Sequence, residues 1–324
     1  MFSGIIAGAT WAIETVVLGI ALAMSPFCTT EQAVFLAPFV STFLHDLFSA
    51  IFATIYNAIR GKFTQVWKAL FTKDGMWVAI AAAIGGPIGM TGYVMCVNYM
   101  GASIGAVASA IFPAIGAVLA YFFLKEKMKW YQWLFLLATL LGVLGLSYTP
   151  EMAENPNYLL GILGALMCSF GWGIEAVIIG KCMKGTDVTD EYALQIRQTT
   201  SAVVYGVVLL PILGCFKGGL LSGWSFAGSL FVNTGWLIPV IALAALFATV
   251  SYLFYYKAIS QIGASKAMAL NVTYTAWAMV FGVIIAAVQG AFALPSAMVL
   301  ICTVVVLVCG IFAAADFKDL MKKN

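Results

Sequence analysis

Apolar residues run along this chain in stretches of about 20, separated by short polar breaks. A helix needs roughly 20 residues to cross the hydrocarbon core of a bilayer. The pattern predicts ten spans, at 3–24, 33–58, 76–98, 103–124, 130–148, 158–181, 192–214, 235–257, 265–288 and 296–315. Only residues 98–102 divide the third span from the fourth. A transmembrane β-barrel would instead show segments of about ten residues that alternate apolar and polar. Residues 81–84 and 304–308 are continuously apolar, so the expected fold is an all-α integral membrane bundle. Residues 1–4 hold no basic group, and no small-residue cleavage pattern follows a short apolar core. The first run therefore reads as a span and not as a cleaved signal.

Composition agrees with the pattern. Hydrophobic residues make up 63% of the 324 and charged ones 9%, against about 25% charged in soluble domains. Seven cysteines form no CxxC pair, and the single histidine, His45, has no metal-ligand company in sequence. The cysteines read as small packing residues, and no metal or cofactor is expected. No nucleophile with its base and no metal-ligand cluster marks an enzyme.

Charge orients the bundle. Numbering the breaks between spans, the even ones and the tail carry Arg60, Lys62, Lys68, Lys73, Lys125, Lys127, Lys129, Lys181, Lys184, Lys257, Lys266, Lys318, Lys322 and Lys323. That is 14 of the 16 basic residues on one side; the odd breaks hold Lys217, and Arg197 falls inside a span. Basic loops stay cytoplasmic, so both termini are expected in the cytoplasm.

The two halves repeat. Residues 10–16 (TWAIETV) resemble 171–177 (GWGIEAV), 161 positions on, and 96–103 (CVNYMGAS) resemble 258–265 (AISQIGAS), 162 positions on. Five spans per half place the second half upside down. The expected organisation is a first repeat over 1–149 and a second over 150–324, in one membrane domain. Inverted repeats characterise secondary transporters, which bind substrate near the midplane between the halves. An old duplication that kept no two-fold function remains the alternative.

Five titratable groups fall well inside the spans: Glu14, His45, Asp46, Glu175 and Arg197. Each charged one costs about 2.5–3.5 kcal/mol at a helix centre, so they should face a bundle interior or a wet cavity. Asp46 and Arg197 suit either a static ion pair or a coupling role, and His45 either a helix–helix hydrogen bond or a proton site. Glu14 and Glu175 occupy equivalent repeat positions, each three residues after a tryptophan, Trp11 and Trp172. That spacing sets ring and carboxylate on one helix face. Countercharge beside a ring face is what an organic cation needs. Asn271, Tyr274 and Trp277 in the ninth span, Tyr93 in the third, and Tyr252 and Tyr256 in the eighth are further candidates. Aromatics outnumber acids, which favours a methylated cation without N–H donors; Asn271 would then bind a hydroxyl. Residues 85–89 (GGPIG) and Pro113 sit mid-span, where they would serve as hinges or as rigid kinks.

The five-plus-five plan and residues 109–126 (SAIFPAIGAVLAYFFLKE) resemble the EamA-like branch of the drug/metabolite transporter superfamily. His45-Asp46, 86–90 (GPIGM), Trp172-Gly173 with Glu175, 196–198 (IRQ) with Thr200-Ser201, and 270–274 (LNVTY) with Trp277 resemble LicB-type bacterial choline importers. The resemblance implies a bacterial cytoplasmic-membrane importer of choline. It also implies an aromatic cage from Trp11 and Trp172, with Glu175 as the acidic partner. Three buried carboxylates, Glu14, Asp46 and Glu175, against one fixed cation, Arg197, with His45 neutral, separately predict linkage to protons. Glu14 is a departure from that pattern and is the expected coupling carboxylate, beside His45, Asp46 and Arg197. Proton-coupled export of toxic organic cations is the competing expectation. Nothing points to nucleic acid, and oligomeric state is not legible.

Overall fold

The computed structural model describes residues 1–147, 157–185, 187–216, 218–233 and 235–316. The boundary expected at 149/150, Lys217 and the tail lysines lie outside them. Among the described residues every regular element is helical. Ten helices are long and apolar enough to cross a membrane, and each overlaps a predicted span. Span 1 is α1 (Phe2–Leu22), span 2 is α2 (Glu31–Ile59), and a short α3 (Phe63–Leu70) follows on the basic end. Span 3 is α4 (Lys73–Ala83), a π-helical turn (Ile84–Ile88) and α5 (Gly89–Met100). Span 4 is α6 (Ala102–Ala110) and α7 (Phe112–Leu124); span 5 is α8 (Trp130–Ser147) and span 6 is α9 (Tyr158–Cys182). Span 7 is α10 (Asp190–Val204), a second π turn (Tyr205–Leu209) and α11 (Leu210–Phe216). Then come α12 (Ser222–Asn233), span 8 as α13 (Leu237–Ile262), span 9 as α14 (Ala264–Asn271) and α15 (Tyr274–Val288), and span 10 as α16 (Ala297–Ala314).

Local chemistry sets the helix ends. Thr30, Thr72, Asn157, Thr189 and Ser296 each accept a backbone N–H of the first turn, which satisfies one of the orphan donors of a helix start. Helices α3 and α12 were not predicted as elements. The first buries only Val66 and Ala69, too short an apolar face to register as a span. The second is pinned by Trp224, whose Nε1–H donates to the Gly206 carbonyl at 3.0 Å.

Spans 4 and 9 are broken at matching places. The first breaks at Ile111, just before Pro113, which lacks an N–H to continue the ladder. The second breaks at Val272-Thr273, where the Thr273 and Thr275 hydroxyls donate to the Leu270 and Val272 carbonyls. The loops that lead into the two spans also match. Gly101 has φ 99° and ψ 159°, and Gly263 has φ 89° and ψ 159°, a backbone that only glycine adopts readily.

Packing partners exchange between halves. Span 1 lies along span 8, and span 6 along span 3. Span 2 packs on span 8, and span 7 on span 3; span 9 packs on span 1, and span 4 on span 6. Spans 2 and 7 pair with each other, as do 5 and 10. Adding five to every span number maps this set of pairs onto itself. Spans 1–4 and 6–9 thereby surround a central space, with 5 and 10 outside it.

Candidate functional site

The central space is a cavity of about 110 Å³. Spans 1, 2, 3, 4, 6, 7, 8 and 9 all contribute lining residues. On its wall the five intramembrane titratable groups form one connected chain. Glu14 Oε1 lies 3.3 Å from His45 Nε2, and His45 Nδ1 lies 2.9 Å from Asp46 Oδ1. Asp46 Oδ2 accepts from Ser201 Oγ at 2.5 Å and from Arg197 Nη1 at 3.4 Å. Arg197 Nε donates to Glu175 Oε1 at 2.9 Å, and its Nη1 to Gln198 Oε1 at 2.7 Å. All five side chains are buried. Isolated charges at this depth would be prohibitive; linked end to end they satisfy one another.

The π turn of span 3 makes the chain possible. A Cβ on Gly85 would fall 2.0 Å from Glu175 Oε2, and one on Gly86 2.4 Å from Ser201 Oγ. The two glycines let the backbone of span 3 lie against the ionic side chains of spans 6 and 7. The motif read as a hinge or kink is thus also a seat for charge.

Aromatic rings cover the rest. Trp11 meets Tyr252 edge-on, centroids 5.0 Å apart, and the Arg197 guanidinium lies over the Tyr252 ring at 4.5 Å. Trp172 meets Phe112 edge-on at 5.9 Å and stacks on Tyr93 at 6.2 Å. Three buried polar atoms of cavity-lining residues, His45 Nε2, Asn271 Oδ1 and the Tyr256 hydroxyl, make no hydrogen bond among the described residues.

Residues 1–148 match the EamA-like transporter family. The first half of the chain is thus similar to members of that family. Protein LicB of Haemophilus influenzae is 32% identical over 206 residues, which are 63% of this chain and 65% of LicB. The match thus spans a little under two thirds of that relative's length. A solved crystal structure covers 96% of this chain and 98% of its own at 19% identity, with a TM-score of 0.64. At that identity it speaks for the fold alone.

Within this bundle, Trp11, Glu14, His45, Asp46, Trp172, Glu175, Arg197, Tyr252, Tyr256, Asn271 and Tyr274 all line the same cavity. Three of the candidates stand apart from the others. Glu175 was expected to face the cation directly, but its carboxylate is engaged by Arg197, and the same guanidinium takes the face of Tyr252. Tyr93 stacks on Trp172 and is not among the lining residues. Trp277 is also absent from the lining and stacks on Phe281 at 6.1 Å. The break at Val272-Thr273 restarts the helix before Trp277, so a continuous helical count from Asn271 misplaces it. Phe112, Tyr255, Thr42, Leu18 and Met90 also line the cavity and were not singled out. Only Phe112 had a signal, its place beside a mid-span proline.

Proposed function

We propose that the protein is a secondary active transporter that carries a compact quaternary ammonium, choline foremost, through the central cavity. The observation that carries this reading is the convergence of Trp11, Trp172 and Glu14 on one cavity. Glu14 is the carboxylate of the set that Arg197 does not engage. Two indoles offer faces to a methylated cation, and Glu14 offers the countercharge in place of Glu175. Asn271 Oδ1, buried and without a partner, suits the substrate hydroxyl. The family and the motif likeness to LicB-type choline importers support the same substrate.

Charge balance favours coupling to protons. Three carboxylates and one guanidinium leave the cavity at minus two when His45 is neutral. One proton and one monovalent cation bring it to zero, the least costly load in a low dielectric. The proton has a site. A neutral imidazole carries a single N–H, yet both ring nitrogens of His45 face carboxylates. A proton on the His45–Glu14 pair turns the 3.3 Å contact from two facing acceptors into an attraction. Loading both together describes symport, and hence import. The matched breaks, matched glycines and exchanged packing partners support reading the halves as inverted repeats. The distribution of basic residues supports both termini facing the cytoplasm, and the likeness to a bacterial importer supports the bacterial cytoplasmic membrane as its location.

Purified protein in proteoliposomes tests the reading with a panel of methylated amines. Choline should bind and be taken up, with compact analogues competing. Equal acceptance of bulky aromatic cations would favour export by proton antiport, and no choline binding would end the choline reading.

A further inference from the structure

The two ends of the bundle differ in this conformation. At the basic end, α7 and α14 pack on each other; the mirror pair at the other end, α6 and α15, makes no comparable contact. Span 6 reaches both α13 and α14, whereas its counterpart, span 1, makes no matching contact with span 3 or α6. The buried core follows the same division. At the basic end one large cluster joins spans 1, 2, 3, 4, 6, 7, 8 and 9, and a small one lies beside it on spans 4, 5, 9 and 10. Toward the other end the buried residues separate into a cluster on spans 1, 2, 3, 7 and 8 and another on spans 4, 5, 9 and 10.

Glu126 sits on the seam of the closed end. Just past α7, its Oε1 accepts the Ala264 N–H at 3.0 Å. Its Oε2 accepts the Ser265 N–H at 3.0 Å and the Ser265 hydroxyl at 2.9 Å. These are unpaired donors at the start of α14, and a carboxylate there also meets the positive end of the helix dipole. Two backbone features bring the groups together. Lys125 ends α7 in the left-handed region, φ 59°, which turns Glu126 toward span 9. Gly263 leaves room, since a Cβ there would lie 2.8 Å from the Glu126 carboxyl. Lys184, from the end of span 6, donates to the Leu124 carbonyl at 3.3 Å and ties a third span to the seam.

We propose that Glu126 is the latch of the basic end: its carboxylate holds α14 against α7, so that the cavity is shut on that side, and each transport cycle breaks and remakes this contact. This rests on the cavity being a transport site. Glu126 is a positioning residue; it lies outside the cavity and touches no substrate.

The test reads which end is open, without substrate. Ala267 on α14 is fully buried in the basic-end cluster. With Ala267→Cys as reporter, maleimide labelling is followed site by site by mass spectrometry, alone and combined with Glu126→Gln. Native Cys96, fully buried in span 3 toward the other end, reports general loosening. Glu126→Gln should speed labelling at 267 by about 2- to 30-fold, the effect of removing a helix cap, and leave Cys96 unchanged. Ser265→Ala, which keeps both backbone donors, should give a smaller change in the same direction and serves if the glutamine variant fails to fold. Faster labelling at both sites would reduce Glu126 to a structural cap, and no change at 267 would remove the latch; either overturns the proposal. Neither result bears on choline binding, and failure of choline to bind leaves the labelling result standing.

Discussion

Gly85 and Glu175 lie so close that a single added carbon would collide with the carboxylate: a Cβ on Gly85 would fall 2.0 Å from Glu175 Oε2. The backbone of span 3 is itself a wall of the ionic site. Gly85→Ala must push Glu175 away from Arg197 or move span 3. Overpacking of this kind costs about 1–3 kcal/mol, so choline affinity should fall by roughly 5- to 150-fold, read by calorimetry on purified protein. Gly19→Ala, with nothing within 4 Å of the new carbon, is the control and should bind as wild type does.

The tryptophans make a graded prediction. Trp11→Phe and Trp172→Phe keep a ring face and should keep partial choline affinity, whereas the alanine variants should lose more. A face contributes about 0.5–2 kcal/mol, or roughly 2- to 30-fold per site. Unchanged affinity in both alanine variants would rule the cage out.

Arg197 makes a prediction about stability. Removing one partner of a buried pair leaves an uncompensated charge and costs about 3–5 kcal/mol. Arg197→Met should therefore unfold at much lower temperature. The double variant Arg197→Met/Glu175→Met removes the nearest stranded carboxylate and should recover part of the loss. Thermal unfolding in detergent reads both; a double variant no better than the single would detach Glu175 from the pair.

Coupling is tested by uptake at clamped voltage. An imposed pH gradient, acid on the side from which choline enters, should accelerate wild-type uptake. Glu14→Gln should weaken choline binding and remove that acceleration, because the variant loses both the countercharge and the His45–Glu14 proton site. Wild-type uptake indifferent to the gradient would end proton linkage. A fully coupled Glu14→Gln would move the proton to His45 and Asp46.

Orientation has its own check. Cytoplasm-only reporters fused after Lys73, Lys129 or Lys184 should be active, and those fused at Glu154 or Gly223 inactive. The reverse pattern would invert the topology.

The spans were legible because their signal is local: each needs only a run of apolar residues, and the run for α16 is interrupted by a single polar side chain, Thr303. The breaks in spans 4 and 9 were half legible. Pro113 marks the first, but Thr273 closes the second through hydroxyl bonds that a sequence does not reveal. Equivalence of Glu14 and Glu175 could be read from the repeat, and the resemblance could be read from scattered motifs. Their partners could not. Asp46 and Arg197 stand 151 residues apart, and whether Arg197 turns to Glu175 or elsewhere depends on how spans 2, 3, 6 and 7 meet around two glycines. Hence the repeat shows that the two glutamates are equivalent in position but not that Glu175 pairs with Arg197 while Glu14 faces His45.

Under the proposed loading of one proton and one cation, the charge of the cavity bears on how dilute a source the cell can exploit. A carrier that takes one proton and one monovalent cation per cycle moves two positive charges down the membrane potential. At 100 mV that is about 4.6 kcal/mol per turn, enough to sustain a concentration ratio of about 2,000 before any pH gradient is added. Arg197 fixes that figure: without its charge the empty cavity would demand a third cation per turn, and with a second arginine it would forfeit one.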